Sequence, residues 1–135
     1  MFAGIFFALV LLVHAASAQV QSLRLTGTAG YLSEWELNAE VTREPSGASE
    51  QFSGPLRMKH VGLCTVNGPE EKSGKLTVQI TRSAASSRLQ ASLLLDDGAR
   101  CDYTGQWSGR SAGTKSTGTM DCSNAKGIPL TLSAE

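Results

Sequence analysis

The chain has 135 residues, with 12 Lys and Arg set against 12 Asp and Glu, so its formal net charge is zero. A chain without a basic excess carries no electrostatic footprint for nucleic acid or for an anionic membrane surface, and its length fits one domain. The Gly, Ser and Thr content beyond the first twenty residues, with few helix formers, argues against a helix bundle.

Phe2 to Val13 is apolar apart from Gly4, and Ala16-x-Ala18 follows as a small-residue cleavage site. That is the pattern of a secretory signal peptide cut between Ala18 and Gln19. The run is shorter than the roughly 20 apolar residues of a membrane-spanning helix. No Lys or Arg precedes it, and no Cys follows the cut, which argues against a lipid-anchored lipoprotein. Residues 1–18 therefore read as a signal peptide. Residues 19–135 read as one exported domain, periplasmic or extracellular, with no membrane span in the mature chain.

The mature part alternates. Leu23, Leu25 and Gly27 share one face against Arg24, Thr26 and Thr28, and Gly30 to Ser33 is a turn. Trp35, Leu37, Ala39 and Val41 then oppose Glu34, Glu36, Asn38 and Glu40, the clearest period-two pattern in the chain. After a loop at 45–49, a third strand places Leu56, Met58, His60 and Cys64 on one face; Pro55 suits its start, and Gly62 allows a bulge. A polar loop over 67–72 leads to a fourth strand with Leu76, Val78 and Ile80 inward, and a fifth carries Leu89, Ala91, Leu93 and Leu95. At Asp96-Asp97-Gly98 a two-residue loop would oppose Leu95 to Arg100. A three-residue loop with a left-handed Gly98 opposes it to Ala99 and keeps the apolar faces together, so a type I turn with a Gly bulge is predicted.

The sixth and seventh strands make the best-specified hairpin. Ala99, Cys101, Tyr103, Gly105 and Trp107 share a face, as do Gly118, Met120 and Cys122 on the return. Folded about 109–113, the hairpin sets Cys101 against Cys122, Tyr103 against Met120, Thr104 against Thr119 and Gly105 against Gly118. A slip of one residue would oppose inward to outward residues throughout. Ile128, Leu130 and Leu132 form an eighth strand.

Eight short strands with short connections predict an all-β fold, an eight-stranded antiparallel up-and-down barrel in simple meander order, soluble and closed on itself because closure removes both edges. Pro129 in the last strand points to imperfect closure beside the first. An outer-membrane barrel would turn its apolar face outward and take Glu36, Asn38, Glu40 and Lys75 into the lumen, and the strands are short for that purpose.

This layout resembles the calycin-type barrels: lipocalin-like, avidin-like, and the small periplasmic metalloprotease inhibitors of bacteria. Gly30-x-x-x-x-Trp35-x-Leu37 is similar to the early Trp region of those families, and Gly127-Ile128-Pro129-Leu130 to the closing strand of the inhibitors. The Gly-x-Trp of lipocalins and the biotin-binding set of avidins are absent. The resemblance thus implies architecture and carries over no site residue.

Three cysteines remain after export. The hairpin pairs Cys101 with Cys122 as a disulfide, which an exported chain permits, and leaves Cys64 as a free thiol, most simply a small buried hydrophobe. His60, Met58 and Cys64 share a face, but four strand residues span about 13 Å. His60 and Cys64 therefore cannot share an ion at bond lengths of ~2.0–2.3 Å, and no metal or cofactor is expected. His60 reads as an interior or rim histidine, the only one left after His14 leaves with the signal peptide. Asp102 and Asp121 fall opposite on the outer face, where Arg100 or Lys126 would relieve them. No Ser/His/Asp set, phosphate loop or Cys-x-x-Cys is present, so the expectation is a binding module, not an enzyme. Its partner is an envelope or secreted protein, or a small apolar ligand lined by Trp35, Met58, His60, Tyr103 and Trp107. The alternatives are a structural protein of the cell envelope and a protease inhibitor. Gly27, Gly105 and Gly118 leave room inside that Trp35, Tyr103 and Trp107 could fill, and Trp35 and Trp107 fall at opposite ends.

Overall fold

The computed structural model describes residues 21–45, 50–62, 68–84, 86–108 and 114–135. The expected signal peptide, Cys64 and the tip of the 109–113 loop lie outside them. The strands are β1 (Ser22–Ala29), β2 (Trp35–Glu44), β3 (Glu50–His60), β4 (Glu71–Arg82), β5 (Ser87–Leu95), β6 (Arg100–Trp107), β7 (Lys115–Cys122) and β8 (Ile128–Ala134). Each pairs antiparallel with the next, and β8 returns to β1, so the sheet is a closed eight-strand meander barrel.

Alternation becomes inside and outside as the pattern dictates. On β2, Leu37, Ala39 and Val41 are buried while Glu36, Asn38 and Glu40 are exposed. The apolar faces of the strands converge on one core, from Leu25 on β1 to Leu132 on β8, and the charged faces look out, the reverse of a lipid-facing barrel. The β6–β7 register is Cys101↔Cys122, Tyr103↔Met120, Thr104↔Thr119 and Gly105↔Gly118, as the sequence predicts. The β5–β6 turn also follows the apolar parity. Leu95 donates its amide to the Ala99 carbonyl at 2.9 Å, Gly98 donates to the Leu95 carbonyl at 2.9 Å, and Gly98 has φ +89°.

Two expectations are corrected, and one left open is decided. Closure at Pro129 is complete: β1 and β8 pair from Leu25↔Ala134 to Ala29↔Leu130. The Pro129 carbonyl accepts the Gly30 amide at 2.9 Å, so its missing N–H falls where the ladder ends. The Gly30 carbonyl, which that N–H would have reached, takes Ser33 N–H instead at 3.1 Å. Second, Pro55 lies in the middle of β3, which starts at Glu50 and buries Phe52. Registered pairing with β2 lapses around Gly54 and Pro55, between Leu56↔Ala39 and Ser53↔Thr42, because Pro has no amide to give. Gly54 lets the backbones meet there, since the Glu40 carbonyl oxygen occupies the place of a Cβ. β3 ends at His60 without the bulge that Gly62 allowed.

Third, the room at the inner glycines is taken up, and of the three aromatic residues that could fill it Tyr103 is the one that lies there. Tyr103 lies over Gly105, where an added Cβ would strike its hydroxyl, and crowds Gly118 together with the Thr104 carbonyl; at Gly27 the Thr131 carbonyl oxygen of β8 takes the place of a Cβ, with Leu132 beside it. Tyr103 is 2 % exposed and its hydroxyl bonds Ser116 Oγ at 2.7 Å, itself 1 % exposed. Burial, partly offset by that bond, raises the phenol's pKa above its ordinary value. Tyr103→Phe keeps the ring but strands a buried hydroxyl on Ser116. It should destabilise by about 1–3 kcal/mol in urea unfolding, and the double variant with Ser116→Ala should recover part of the loss; a neutral single variant would contradict the buried bond.

Candidate functional site

The two ends of the barrel differ. At one, Trp107 ends β6 and is only 5 % exposed. It is packed into the same core as Phe52, Ile80 and Leu89, so among the described residues this end is filled. The other end collects the β1–β2, β3–β4, β5–β6 and β7–β8 connections and the Cys101–Cys122 disulfide, whose Cα atoms are 3.9 Å apart. Ser123 donates to the Arg100 carbonyl at 2.8 Å, so the cysteines beside that pair occupy a non-hydrogen-bonded site, where side chains lie closest.

Here the barrel has a mouth. A pocket of about 310 Å³ is walled by Trp35, Met58, Leu95, Met120 and Ile128, with the disulfide at its side. Trp35 is half-buried and meets the half-buried His60 edge-on, ring centroids 4.9 Å apart at 78°. Lys72 Nζ stands 5.5 Å from the Trp35 ring centroid and 3.3 Å from Asp97 Oδ2. Lys72 pairs in register with the inward Met58, so its stem rises along the inner wall and its ammonium reaches the rim, as amphipathic side chains do.

The rim loop is built to hold its shape. Gly30 (φ +102°) and Ser33 (φ +53°) turn it; the Glu34 carboxylate fills the place of a side chain at Gly30 and accepts Leu32 N–H at 2.9 Å. Val61 N–H donates to the Glu34 carbonyl at 2.7 Å, tying this loop to the end of β3. Held this way, Tyr31 and Leu32 project at 74 % and 89 % exposure. Asp97 likewise accepts Ala99 N–H at 2.9 Å.

Backbone amides hold both rim carboxylates below their ordinary pKa: Glu34 through its own N–H and that of Leu32, Asp97 chiefly through Ala99 N–H and then through Lys72. A carboxylate whose folded pKa is lowered stabilises the fold above its unfolded pKa and loses that contribution as pH falls through the lowered value. The amide-proton shifts of Leu32 and Ala99, followed by NMR against pH, should therefore titrate with midpoints below the ordinary values of a glutamate and an aspartate respectively. Midpoints at or above those values would contradict the bonding described.

Of the sequence-predicted lining residues, the mouth brings together Trp35, Met58 and His60. Tyr103 lies deeper, over the glycines, and Trp107 closes the far end. Lys72, assigned from sequence to a polar loop, is the rim residue that reading missed. Its signal was the parity of Lys72, Gly74, Leu76, Val78 and Ile80, which continues the inner face of β4 outward. Asp121, opposite Asp102 as expected, is engaged by the Gly127 amide at 2.9 Å. A larger hollow of about 620 Å³ runs along the outer wall past Glu36, Arg57, Lys59 and Glu71. It mixes charge signs among hydrated side chains, and apolar anchors with a few convergent polar groups, the marks of a binding site, are found at the mouth instead.

No protein-family model, curated protein or solved structure matches this chain.

Proposed function

We propose that this chain is an exported binding module that takes a small apolar guest in the disulfide-end mouth, not an enzyme. The observation that carries the reading is the asymmetry of the barrel: one end filled by Trp107, the other left with an apolar pocket whose wall includes a half-buried Trp. About 310 Å³ is at the lower end of the roughly 300–1,000 Å³ of small-molecule sites. Binding is favoured over catalysis because the wall is apolar and the two rim carboxylates are already engaged by backbone amides. The Ala16-x-Ala18 motif and the disulfide both suit the periplasm or the extracellular space.

A second reading, docking of an envelope or secreted protein such as a protease to be inhibited, is favoured by one observation: Tyr31 and Leu32 are displayed at 74 % and 89 % exposure on a braced loop, as anchor residues of an interface are. Titration with the neutral dye N-phenyl-1-naphthylamine separates the two. The guest-binding reading expects saturable dye fluorescence weakened about tenfold by Trp35→Ala, the equivalent of one large aromatic contact, and unchanged by Leu32→Ser. Absence of saturable binding sinks it and leaves the rim loop as the working surface.

A further inference from the structure

We infer that the guest of this mouth is an anionic amphiphile, a short acyl chain or aromatic group ending in a carboxylate, with Lys72 as its counter-ion. The inference rests on the guest-binding reading above and adds the chemical class. The apolar half follows from the wall: Met58, Leu95, Met120 and Ile128 have no strong hydrogen-bonding group and Trp35 adds a single indole N–H, while the polar lining residues Tyr31, Glu34, Lys72 and Asn124 belong to the rim and its loops. At about 30 Å³ per water-sized group, the pocket of about 310 Å³ holds about ten heavy atoms, the size of an eight-carbon acid.

The anionic half follows from the charges at the rim. Among the described residues, the charged side chains lining the pocket are Glu34 and Lys72, and Asp97 stands beside them paired with Lys72. Both carboxylates are occupied, Glu34 by Leu32 N–H and Asp97 by Ala99 N–H. Each therefore gives part of its acceptor capacity to the backbone of its own loop. Lys72 is different. Among the described residues it is the one Lys or Arg lining the pocket, on the inward register of β4 and standing over the Trp35 ring. Its partner Asp97 holds it at 3.3 Å with side-chain exposures of 30 % and 50 %, a surface pairing of the kind that contributes little. The ammonium has further N–H donors for a second carboxylate. A guest seated with its tail against Trp35 and Met120 would leave its head group at that ammonium, where the pocket meets solvent.

The test uses the full-length oxidised protein and three probes of equal chain length, octanoate, 1-octanol and octylammonium, each displacing N-phenyl-1-naphthylamine at neutral pH. Octanoate should displace the dye about fivefold better than octanol, the range of one partly exposed ion pair, and octylammonium worse than either. Lys72→Met should bring octanoate level with octanol, Lys72→Arg should keep the preference, and Asp97→Asn, which retains the acceptor for Ala99 N–H while releasing Lys72, should enlarge it. High salt should reduce the octanoate advantage alone. Equal displacement by all three probes, a preference for the amine, or an octanoate preference that survives Lys72→Met would overturn the anionic assignment while leaving guest binding intact. Failure of octanoate to displace bound dye would overturn the class, and failure of the dye itself to bind would overturn the underlying reading.

Discussion

Trp107→Ala should lower the unfolding free energy by about 3–5 kcal/mol, the range for deleting a buried large aromatic. The residue is 5 % exposed and closes one end of the barrel beside Leu89 and Ile80, so nothing nearby can collapse into the space without breaking strand pairs on either side. Against a total stability of about 5–15 kcal/mol for a domain, the variant would be marginal. Trp35→Ala should behave otherwise. It is only partly buried at the mouth, so its loss should destabilise by less than the Trp107 figure while weakening guest binding. Urea unfolding of both variants, beside dye titration, checks the contrast; equal destabilisation with no binding effect would mean that the barrel is packed alike at both ends.

Removing the disulfide should have the second largest effect. Cys101 and Cys122 are 21 residues apart in sequence, and opening a loop of that size releases about 3 kcal/mol of chain entropy in the unfolded state. Because both cysteines flank the mouth pocket, the double variant with Cys101→Ala and Cys122→Ala should also lose guest affinity, whereas Tyr103→Phe, of similar stability cost, should not. A non-reducing peptide map should recover the Cys101–Cys122 link, with Cys64 carrying the alkylating label. A link from Cys64 to either partner would contradict the hairpin register.

Most of the topology was legible because the strands alternate cleanly and their connections are short. The Leu89–Leu95 and Cys101–Trp107 faces can meet in one register only, and that parity alone chose the three-residue turn at Gly98. What misled was punctuation. Pro55 reads as a strand start, yet the strand runs through it, since Gly54 lets β2 approach and pairing with β4 continues at Pro55↔Lys75. Pro129 reads as a gap in closure, yet its missing amide falls where the Gly30 carbonyl has turned to Ser33. The inner glycines read as room that Trp35, Tyr103 or Trp107 could fill, yet which of them lies there depends on rotamer and barrel curvature, which alternation does not encode; Tyr103 folds across two of the glycines. At the mouth, Trp35, Met58 and His60 were predictable from parity. Lys72 was not, because a charged residue flanked by Glu70, Glu71 and Ser73 looks like loop until the sheet extends under it.

The central claim is that one end of this barrel is filled and the other receives an apolar guest. The chain holds two tryptophans, one at each end, so the indole N–H resonances of Trp35 and Trp107 report the two ends separately. In a two-dimensional NMR titration with octanoate, the account predicts saturable shifts of the Trp35 indole and of the Met58 and Met120 methyls, with the Trp107 indole unmoved. Shifts at Trp107, or shifts confined to outer-wall residues such as Thr77 and Gln79, would contradict it.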